Sequence, residues 1–439
     1  MKAVIIAGGL GTRISKLYPN IPKPMIPINN KPVLEYMIEN LAMQGVKDIL
    51  ITISYLGDVI EGYFGDGSQY GICIKYYHEK CPLGNAGALF KMRGELGDEP
   101  FLLLNGDLIF DISIERMVAF HNAHGAKVTL LTHPNNHPYD SGLVVADEKQ
   151  VVLAWLSRED KRPKYYKNNV NSGIHIINPS VLDEANVDVD KIGVENEAGN
   201  IVKVDLDRHL LKPLAGTGMM YSYKSSEYVK DMGTPERLKL VETDWNGGLI
   251  AKKNMQNKQK AIFLDRDGTI NKYIDFLSCI DDFELIDGVA TAIRKINASG
   301  YLCIVVTNQP VIARGELTLE GLNEIHNKME TLLGNEGAYV DDIFYCPHHP
   351  DKGFPGEIAR YKCDCMCRKP NPGMLFAAAE KYNIDLSESW MVGDSVTDVL
   401  AGKNAGCKTC YVGEMSESLA SLSVRSLCDF VNEVYATRY

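Results

Sequence analysis

Short apolar runs typical of buried strands alternate with helix-like segments along the whole chain. Residues 4–7, 49–53 and 101–104 form such runs, and residues 32–44 have the apolar spacing of an amphipathic helix. This alternation is typical of an α/β fold in which helices cover both faces of a mainly parallel sheet. Because 439 residues are too many for one ordinary core, we expect two doubly wound domains.

Residues 243–260 separate the two predicted domains. They are polar, contain glycine and several lysines and asparagines, and show no apolar period, so we predict a linker. Residues 1–242 then form the first domain. Residues 261–439 form the second, which starts with a further apolar run at 261–264.

The net charge is −11 at pH 7, which argues against a general nucleic-acid or membrane-surface binder. The apolar stretch at the N-terminus is too short for a signal peptide, and no run approaches the ~20 apolar residues of a membrane span. We therefore expect a cytoplasmic chain with no nucleic-acid or membrane partner. The sequence leaves the oligomeric state open.

Asp265 and Asp267 directly follow the apolar run at 261–264. Two carboxylates so close raise each other's pKa unless a cation lies between them. Mg²⁺ prefers such oxygen ligands, and in its presence one carboxylate can attack phosphorus while the other moves protons. The pair therefore predicts a phosphoryl-transfer enzyme in the second half of the chain.

Other polar residues in this half follow further predicted strands or supply cations. Thr307 and Asn308 end an apolar run and carry groups that bind phosphate oxygens, and Asp394 ends another. Arg368 and Lys369 can balance the charges of phosphate and Asp265. Because parallel strands deliver their carboxyl ends to one edge of a sheet, we expect a single Mg²⁺ site there.

Four of the 11 cysteines lie between residues 346 and 367, together with two histidines. In a cytosolic chain such a cluster favours metal binding over disulfides. Three sulfurs and one nitrogen suit structural Zn²⁺, and the ligands we favour are Cys346, His348, Cys365 and Cys367. Cys363 with Cys365 is the alternative pair, and His349 is the less favoured histidine.

A glycine-rich stretch follows the first predicted strand and consists of Gly8, Gly9 and Gly11-Thr12-Arg13. Glycines let the backbone approach a phosphate closely and direct amide N–H groups toward it. Arg13 can add a charge-assisted contact. A tight structural turn has the same composition, so this stretch alone does not decide between the two interpretations.

Further residues of the first half have the chemistry of a nucleotide site. Lys23 lies between two prolines, and Asp107 ends a predicted strand. Asp231 is either a second Mg²⁺ carboxylate or the N-cap of a helix that starts at Pro235. A loop of small residues suited to contact with a base contains Leu83, Gly84 and Asn85.

Residues 1–240 resemble the sugar-1-phosphate nucleotidyltransferases, chiefly through the glycine-rich stretch combined with Pro22-Lys23-Pro24. The resemblance implies that the loop and Arg13 hold the triphosphate and that Lys23 neutralises the α-phosphate. It also implies that Asp107 and Asp231 hold Mg²⁺, that residues 83–88 line the base and that Asn171 contacts the sugar.

Two stretches depart from that family's usual pattern. Lys161 stands in Asp160-Lys161-Arg162-Pro163, where an acidic-Lys-Pro stretch normally contacts the sugar phosphate. Asp205-Leu206-Asp207 replaces the frequent Ser-Leu-Glu. Lys161 is therefore a candidate only, and the sugar is less well determined than the reaction.

Residues 260–414 resemble the haloacid-dehalogenase phosphatases. The resemblance implies that Asp265 is the nucleophile, that Asp267 is the general acid and base, and that Asp394 joins both on Mg²⁺, with Asp398 behind them. The cysteine loop and residues 307–315 are similar to the branch that contains D-glycero-D-manno-heptose 1,7-bisphosphate phosphatase and the histidinol-phosphate phosphatases.

The two resemblances together indicate two consecutive reactions of one biosynthetic route. Removal of the distal phosphate from a sugar 1,7-bisphosphate leaves a sugar 1-phosphate, which is the substrate class of the first domain. We therefore predict a bifunctional enzyme of nucleotide-activated heptose synthesis for surface polysaccharide. Its small-molecule partners would be sugar phosphates and a nucleoside triphosphate, with GTP expected from the resemblance.

Two alternatives remain. One is a hexose-1-phosphate nucleotidyltransferase, for mannose or glucose, fused to a histidinol-phosphate type of phosphatase. The other is a regulatory or binding module in which one domain is inactive. The presence of every expected catalytic residue in both halves argues against the second alternative.

Overall fold

The structure is a computed structural model and describes residues 1–9, 17–196, 198–414 and 419–436. For residue 436 it describes the backbone only. Its contacts divide the chain into two compact units. Unit 1 comprises Met1–Thr132, Gly142–Leu156 and Asn171–Asn254. Unit 2 comprises His133–Ser141, Ser157–Val170 and Met255–Tyr439, so two segments from the first half of the sequence cluster with the second half.

Unit 1 is built on a mixed sheet of nine strands. Seven of them follow the order β10-β9-β11-β6-β1-β4-β5, and β8 pairs with β11 and β12. A separate two-stranded sheet pairs β13 with β7, and another pairs β2 with β3. The strands are β1 Ala3–Ile6, β2 Pro27–Ile28, β3 Lys31–Pro32, β4 Asp48–Ile53, β5 Cys73–His78, β6 Phe101–Asn105, β7 Leu108–Asp111, β8 Val128–His133, β9 Leu143–Ala146, β10 Val152–Leu156, β11 Val170–Ile177, β12 Met220–Lys224 and β13 Tyr228–Asp231.

Helices pack against both faces of this sheet. They are α1 Val33–Met43, α2 Gly57–Phe64, α3 Gly87–Lys91, α4 Arg93–Leu96, α5 Ile114–Ala123, α6 Ser180–Glu184, α7 Lys212–Leu214, α8 Pro235–Asn246 and α9 Leu249–Lys252. Alternate residues of β1 belong to different apolar clusters, since Ala3 and Ile5 lie in one and Val4 lies in the other. Because side chains alternate along a strand, both faces of the sheet are buried.

Residues 243–260, which we predict as a linker, contain more regular structure than their polar sequence indicates. α8 continues to Asn246, and α9 follows at Leu249–Lys252. Trp245 packs against Tyr36 with ring centroids 4.2 Å apart, and Asn254 donates a hydrogen bond to Asp111. These contacts and the buried side chains of Ile250 and Met255 help to hold a stretch that has no apolar period.

Unit 2 contains a six-stranded, fully parallel sheet in the order β16-β15-β14-β17-β18-β19. Ile262 and Leu264 of β14 pack into one apolar cluster, while Ala261 and Phe263 pack into another. The elements are β14 Ala261–Leu264, α10 Val289–Ser299, β15 Leu302–Asn308, α11 Pro310–Ala313, α12 Leu319–Asn335, β16 Asp342–Cys346, α13 Gly373–Tyr382, β17 Trp390–Gly393, α14 Val396–Ala405, β18 Lys408–Val412, β19 Leu422–Val424 and α15 Leu427–Ala436.

The two segments from the first half pack on α12. Thr331 exchanges two hydrogen bonds with the backbone of Tyr166, and Glu330 accepts one from the Asn168 amide. These contacts bury Glu330 and Thr331, which are polar residues of a helix that would otherwise face solvent.

The prediction of two α/β domains is confirmed, with the refinement that the first sheet is mixed. Among the described residues, none of the helices combines the length and the apolar character that a membrane span requires.

Candidate functional site

Three neighbouring parallel strands bring the predicted residues of unit 2 to one edge of its sheet. β14 lies between β15 and β17, so Asp265, Thr307 and Asp394 emerge side by side. The carboxyl edge of a parallel sheet is where open α/β folds bind their ligands. The local sequence therefore places these groups without help from long loops.

Lys369 is buried between two carboxylates. Its Nζ lies 2.8 Å from Asp265 Oδ1 and 2.6 Å from Asp398 Oδ1. Burial and the neighbouring Asp398 raise the pKa of Asp265 to about 7. Burial alone would lower the pKa of Lys369, but the two carboxylates outweigh it and raise that pKa. The ammonium therefore stays charged and compensates a buried acidic pair.

Asp265, Asp394 and Asp398 form a group with the geometry of a cation site, since one carboxylate oxygen of each lies within 4.8 Å of the others. Burial, followed by the charge of Asp398, raises the pKa of Asp394 to about 6. Gly268 has a φ of +79°, and a Cβ there would lie 1.8 Å from Asp394 Oδ2. Only glycine lets the turn after Asp267 approach Asp394 so closely.

Asp267, predicted as a Mg²⁺ carboxylate, is not part of that group. Its two oxygens accept hydrogen bonds from the guanidinium of Arg266 at 2.9–3.2 Å, from Asn271 at 3.0 Å and from Gln309 at 2.9 Å. Arg266 is fully buried and also contacts His326. Asp267 is thus held in a fixed orientation beside Asp265, as a proton donor and acceptor requires.

Asn308, one of the residues predicted to bind phosphate, holds the backbone of Lys369 in place. Asn308 accepts a hydrogen bond from the Lys369 amide and donates one to its carbonyl. Thr307 accepts one from Gln309, and Arg368 donates one to the His348 carbonyl. Asn308 therefore fixes the backbone of the central lysine, a contact that strand-end reasoning does not reveal.

The cysteine cluster assembles as one compact set. Five distances among Cys346 Sγ, His348 Nδ1, Cys365 Sγ and Cys367 Sγ are 3.2–3.6 Å. Cys363 is exposed and lies outside this set. His349 is half-buried and also lies outside it. Three sulfurs and one nitrogen at this spacing fit a tetrahedral metal ion.

Unit 1 brings together Lys23, Asp107 and Asp231. Lys23 forms an ion pair with Asp107, and the Met232 amide donates to the Asp107 carbonyl. Burial would raise the pKa of Asp231, but Arg237, whose Nη1 lies 2.7 Å from both oxygens, lowers it overall. The helix begins at Pro235, as predicted, and its N-cap is Thr234 and not Asp231.

The glycine-rich region is only partly described. Gly8 and Gly9 follow β1, and the Gly8 carbonyl accepts a hydrogen bond from Ser54. Gly11, Thr12 and Arg13 lie outside the described residues. A role of this stretch in holding a triphosphate therefore stays a prediction.

The predicted base loop is fixed against the segment at 204–206. Gly84 has a φ of +84°, and a Cβ there would lie 2.3 Å from the Val204 carbonyl oxygen. Asn85 Oδ1 accepts a hydrogen bond from the Leu206 amide, and Leu83 is buried. The loop is therefore tied to the stretch that precedes Asp207.

A cavity of about 300 Å³ opens in unit 1. Its lining residues are Asn105, Asp107, Leu108, Gly142, Trp155, Asn171, Ser172, Gly173, Asp207 and Asp231. The predicted residues Asp107, Asn171 and Asp231 thus meet at one place. Lys161 is exposed and lies in the segment Ser157–Val170, which clusters with unit 2, so its role at the sugar phosphate stays a prediction.

Sequence reasoning assigned no site role to three residues that the structure brings to the sites. Arg266 stands between the two predicted catalytic aspartates, and its position inside the motif was an available signal. Asp207 was noted only as a departure from a family pattern. Trp155 gave no local signal, because a tryptophan in a strand more often fills a core.

Unit 2 has strand-end carboxylates beside a buried lysine, and unit 1 has a cavity lined by acids, one of which pairs with Lys23. These features define a two-domain enzyme that acts on phosphate groups. Comparison with known proteins names the families. Residues 2–239 match the nucleotidyl transferase family, and residues 366–424 match the HAD-hydrolase-like family.

Relatives cover the second half. A D-glycero-beta-D-manno-heptose-1,7-bisphosphate 7-phosphatase of Yersinia pestis is 39% identical over 189 residues, which are 42% of this chain and 98% of that protein. One from Pasteurella multocida (strain Pm70) is 46% identical over 151 residues, which are 34% of this chain and 79% of that protein. The structure of HddC from Yersinia pseudotuberculosis is similar with 22% identity and a TM-score of 0.46, covering 56% of this chain and 99% of that one.

The chain belongs to the nucleotidyl transferase family and, through its C-terminal part, to the phosphatase family of these relatives. It is therefore a fusion of a nucleotidyltransferase with a haloacid-dehalogenase-type phosphatase, as predicted.

Proposed function

We propose that the chain performs two consecutive steps of nucleotide-activated heptose synthesis. The phosphatase removes the 7-phosphate of D-glycero-D-manno-heptose 1,7-bisphosphate. The nucleotidyltransferase then transfers a nucleotidyl group, GMP from GTP, to the heptose 1-phosphate and releases pyrophosphate. The observation that carries the proposal is the fusion itself, because the product class of the phosphatase relatives is a sugar 1-phosphate.

In the phosphatase step, Asp265 attacks the phosphorus and forms an aspartyl phosphate while the sugar oxygen leaves. Asp267 protonates that oxygen and then takes a proton from the water that hydrolyses the intermediate. Arg266, Asn271 and Gln309 hold Asp267 in place for both transfers. Lys369 balances the charge at Asp265 and contacts the incoming phosphate.

The carboxylates of Asp265, Asp394 and Asp398 fit Mg²⁺, because their oxygens converge and burial raises the pKa of Asp265 and of Asp394. A bound Mg²⁺ neutralises phosphate charge and lowers the cost of gathering these acids. Asp265 and Asp394 would be the ligands. Asp398 keeps Lys369 oriented through its ion pair and caps α14 through Ser395.

In the transferase step, Lys23 neutralises the α-phosphate, and Asp107 and Asp231 hold Mg²⁺. Gly8, Gly9, Gly11, Thr12 and Arg13 bind the triphosphate, Leu83, Gly84 and Asn85 line the base, and Asn171 contacts the sugar. The cavity supports this assignment, because Asp107, Asp231 and Asn171 line it together. The sugar phosphate attacks the α-phosphorus in line, and catalysis rests on position and charge.

Zn²⁺ bound by Cys346, His348, Cys365 and Cys367 would stabilise the loop that carries Arg368 and Lys369. Cys367 lies two residues before Lys369 in the sequence, so a metal ion bound to Cys367 would fix the backbone just before Lys369. The convergence of the four side chains supports a structural ion and not a catalytic one, because all four positions of a tetrahedron are supplied.

The test is a two-product assay on the full chain with heptose 1,7-bisphosphate, Mg²⁺ and each of GTP, ATP, CTP, UTP and dTTP. We expect phosphate release without nucleotide and pyrophosphate release only with GTP. Asp107→Asn should abolish pyrophosphate release and leave phosphate release intact. Phosphate release without pyrophosphate for any nucleotide would contradict the heptose assignment of the first domain. Absence of both products would contradict the whole proposal.

A further inference from the structure

His326 is a buried polar residue of α12 to which the proposed reaction assigns no part. It is 5% exposed and follows Ile325 among the side chains that α12 buries. A buried polar group is unfavourable unless it finds a hydrogen-bond partner. Nε2 of His326 lies 3.3 Å from Nη1 of Arg266, which is itself fully buried. The partner of His326 is therefore the residue that stands between the two aspartates of the phosphatase motif.

His326 is the acceptor in this hydrogen bond. Burial, and then the positive charges of Arg266 and Lys167, hold the pKa of His326 well below its ordinary value. The imidazole is therefore neutral at pH 7, and a neutral imidazole carries a lone pair on one of its nitrogens. Because a guanidinium has only donors, Nη1 of Arg266 donates and Nε2 of His326 accepts.

The contact with His326 fixes the plane of the Arg266 guanidinium. Nε and Nη2 of Arg266 donate to the Asp267 carboxylate at 2.9–3.2 Å. Nη1 is the third nitrogen of the same planar group. Because the guanidinium is rigid, a hydrogen bond at Nη1 also sets the direction of the edge that holds Asp267. His326 therefore acts on the orientation of Asp267 without touching it.

The helix that carries His326 is held by residues 165–168 from the first half of the chain. Thr331 accepts a hydrogen bond from the Tyr166 amide at 2.8 Å and donates one to the Tyr166 carbonyl at 3.0 Å. Glu330 accepts one from the Asn168 amide at 3.0 Å. This segment belongs to the part of the chain that matches the nucleotidyl transferase family. A segment of the transferase sequence thus supports a helix of the phosphatase.

We propose that His326 is a positioning residue of the phosphatase reaction, which orients Asp267 through Arg266, and that residues 165–168 hold the helix that carries it. The inference rests on the proposed function, since it requires Asp267 to be the acid and base. Asp267 gives its proton to the sugar oxygen as the bond between that oxygen and phosphorus breaks. His326 and Arg266 neither gain nor lose a proton in this step.

His326→Leu tests the positioning role, because leucine fills space in the core and removes the acceptor. The ratio kcat/KM reports formation of the aspartyl phosphate. With heptose 1,7-bisphosphate the leaving oxygen is a basic alkoxide that needs a proton, so we expect kcat/KM to fall roughly 10-fold. With 4-nitrophenyl phosphate the leaving group departs without a proton, so kcat/KM should stay unchanged.

His326→Gln is the conservative variant, because its amide oxygen can accept from Arg266, and it should recover most of the lost kcat/KM. Asn323→Leu is the matched control at an exposed position of the same helix and should change neither substrate. A parallel fall with both substrates in His326→Leu would indicate general damage to the site and overturn the positioning role. A selective loss that His326→Gln does not recover would also overturn it.

Thr331→Arg tests the contribution of the first half of the chain. Thr331 is buried against the backbone of Tyr166, so a large charged side chain there should displace residues 165–168 from α12. We expect a loss of roughly 3- to 10-fold in kcat/KM for heptose 1,7-bisphosphate, with 4-nitrophenyl phosphate spared. Asn323→Arg is the matched control. Unchanged kinetics in Thr331→Arg would overturn the role of residues 165–168.

Asp267→Asn separates the inference from the proposed function. It should lower kcat/KM for heptose 1,7-bisphosphate by at least about 10²-fold and spare 4-nitrophenyl phosphate. If it does so and His326→Leu does not, the inference alone fails. If Asp267→Asn shows no such selectivity, the proposed acid fails.

The heptose assignment is tested separately with the wild-type enzyme. If that enzyme releases phosphate from histidinol phosphate but not from heptose 1,7-bisphosphate, the heptose assignment fails. The same variants then test the inference with histidinol phosphate, whose leaving oxygen is also an alkoxide. Absence of phosphate release from both substrates would contradict the proposed function and the inference together.

Discussion

The two sites differ in how their charged side chains are held. In the phosphatase, the side chains of Asp265, Lys369 and Asp398 are 13%, 2% and 1% exposed, and Lys369 pairs with both carboxylates. In the nucleotidyltransferase, Lys23 and Asp107 have side chains about 18% and 22% exposed, and Asp231 pairs with Arg237 at the rim. The charged side chains of the phosphatase site are therefore more deeply buried than those of the transferase site.

This difference matters for the consequences of mutation. Removing one member of a buried, mutually compensated set leaves an unpaired charge in a medium that solvates it poorly. Removing one member of a hydrated pair lets water replace the partner. Catalysis and stability should therefore be coupled in the phosphatase and separable in the nucleotidyltransferase.

The largest effect is expected for Asp265→Asn. Asparagine keeps the size of the side chain but cannot form the aspartyl phosphate, so phosphate release should fall by at least about 10³-fold. Pyrophosphate release with heptose 1-phosphate and GTP should stay unchanged. Separate assays of the two products check this result, and a parallel loss of both would contradict two independent sites.

Lys369→Met should lower both the unfolding free energy and the activity of the phosphatase. Asp265 and Asp398 would be left as uncompensated buried carboxylates, at a cost of about 3–5 kcal/mol in unfolding free energy. Lys23→Met is the matched variant in the other domain and should cost about 1 kcal/mol while abolishing nucleotidyl transfer. Urea unfolding followed by fluorescence measures both. Equal destabilisation by the two variants would refute the contrast between the sites.

Cys367→Ser should lower zinc content from one ion per chain to a substoichiometric value and reduce the thermal stability of the phosphatase. Cys363→Ser is the control, because Cys363 is exposed and outside the cluster, and it should retain the full zinc content. Elemental analysis and thermal unfolding give the readouts. Retention of zinc by Cys367→Ser with loss in Cys363→Ser would favour the alternative ligand pair.

The smallest effect is expected for Lys161→Ala. Family resemblance makes Lys161 a contact of the sugar phosphate, but the side chain is exposed and does not line the cavity. We expect sugar-phosphate KM to change by no more than roughly 2-fold, as for an ordinary surface substitution. Steady-state kinetics decide the point. A rise of 10-fold or more would contradict this expectation and support Lys161 as a contact of the sugar phosphate.

Much of the fold was accessible from the sequence, because apolar runs and their spacing follow local rules. The runs at 261–264 and 390–393 coincide with β14 and β17, and the predicted helix at 32–44 is α1 at Val33–Met43. The helical structure within residues 243–260 was harder to predict from the sequence, since the contact between Trp245 and Tyr36 that stabilises its first part joins residues far apart in the chain. The mixed character of the first sheet depends likewise on antiparallel pairs such as β11 with β6.

The strand-end residues of the phosphatase could be predicted to meet because parallel strands deliver their ends to one edge. The sequence by itself thus determined the two α/β domains and the family of each, and it predicted that Asp265 and Lys369 meet and that the cysteines form one cluster. Only the tertiary structure decided that Gln309 contacts Asp267, that Asp398 pairs with Lys369, and that Trp155 and Asp207 line one cavity. The physical reason is that these contacts join side chains distant along the chain, whose meeting depends on the packing of whole elements and not on local propensity.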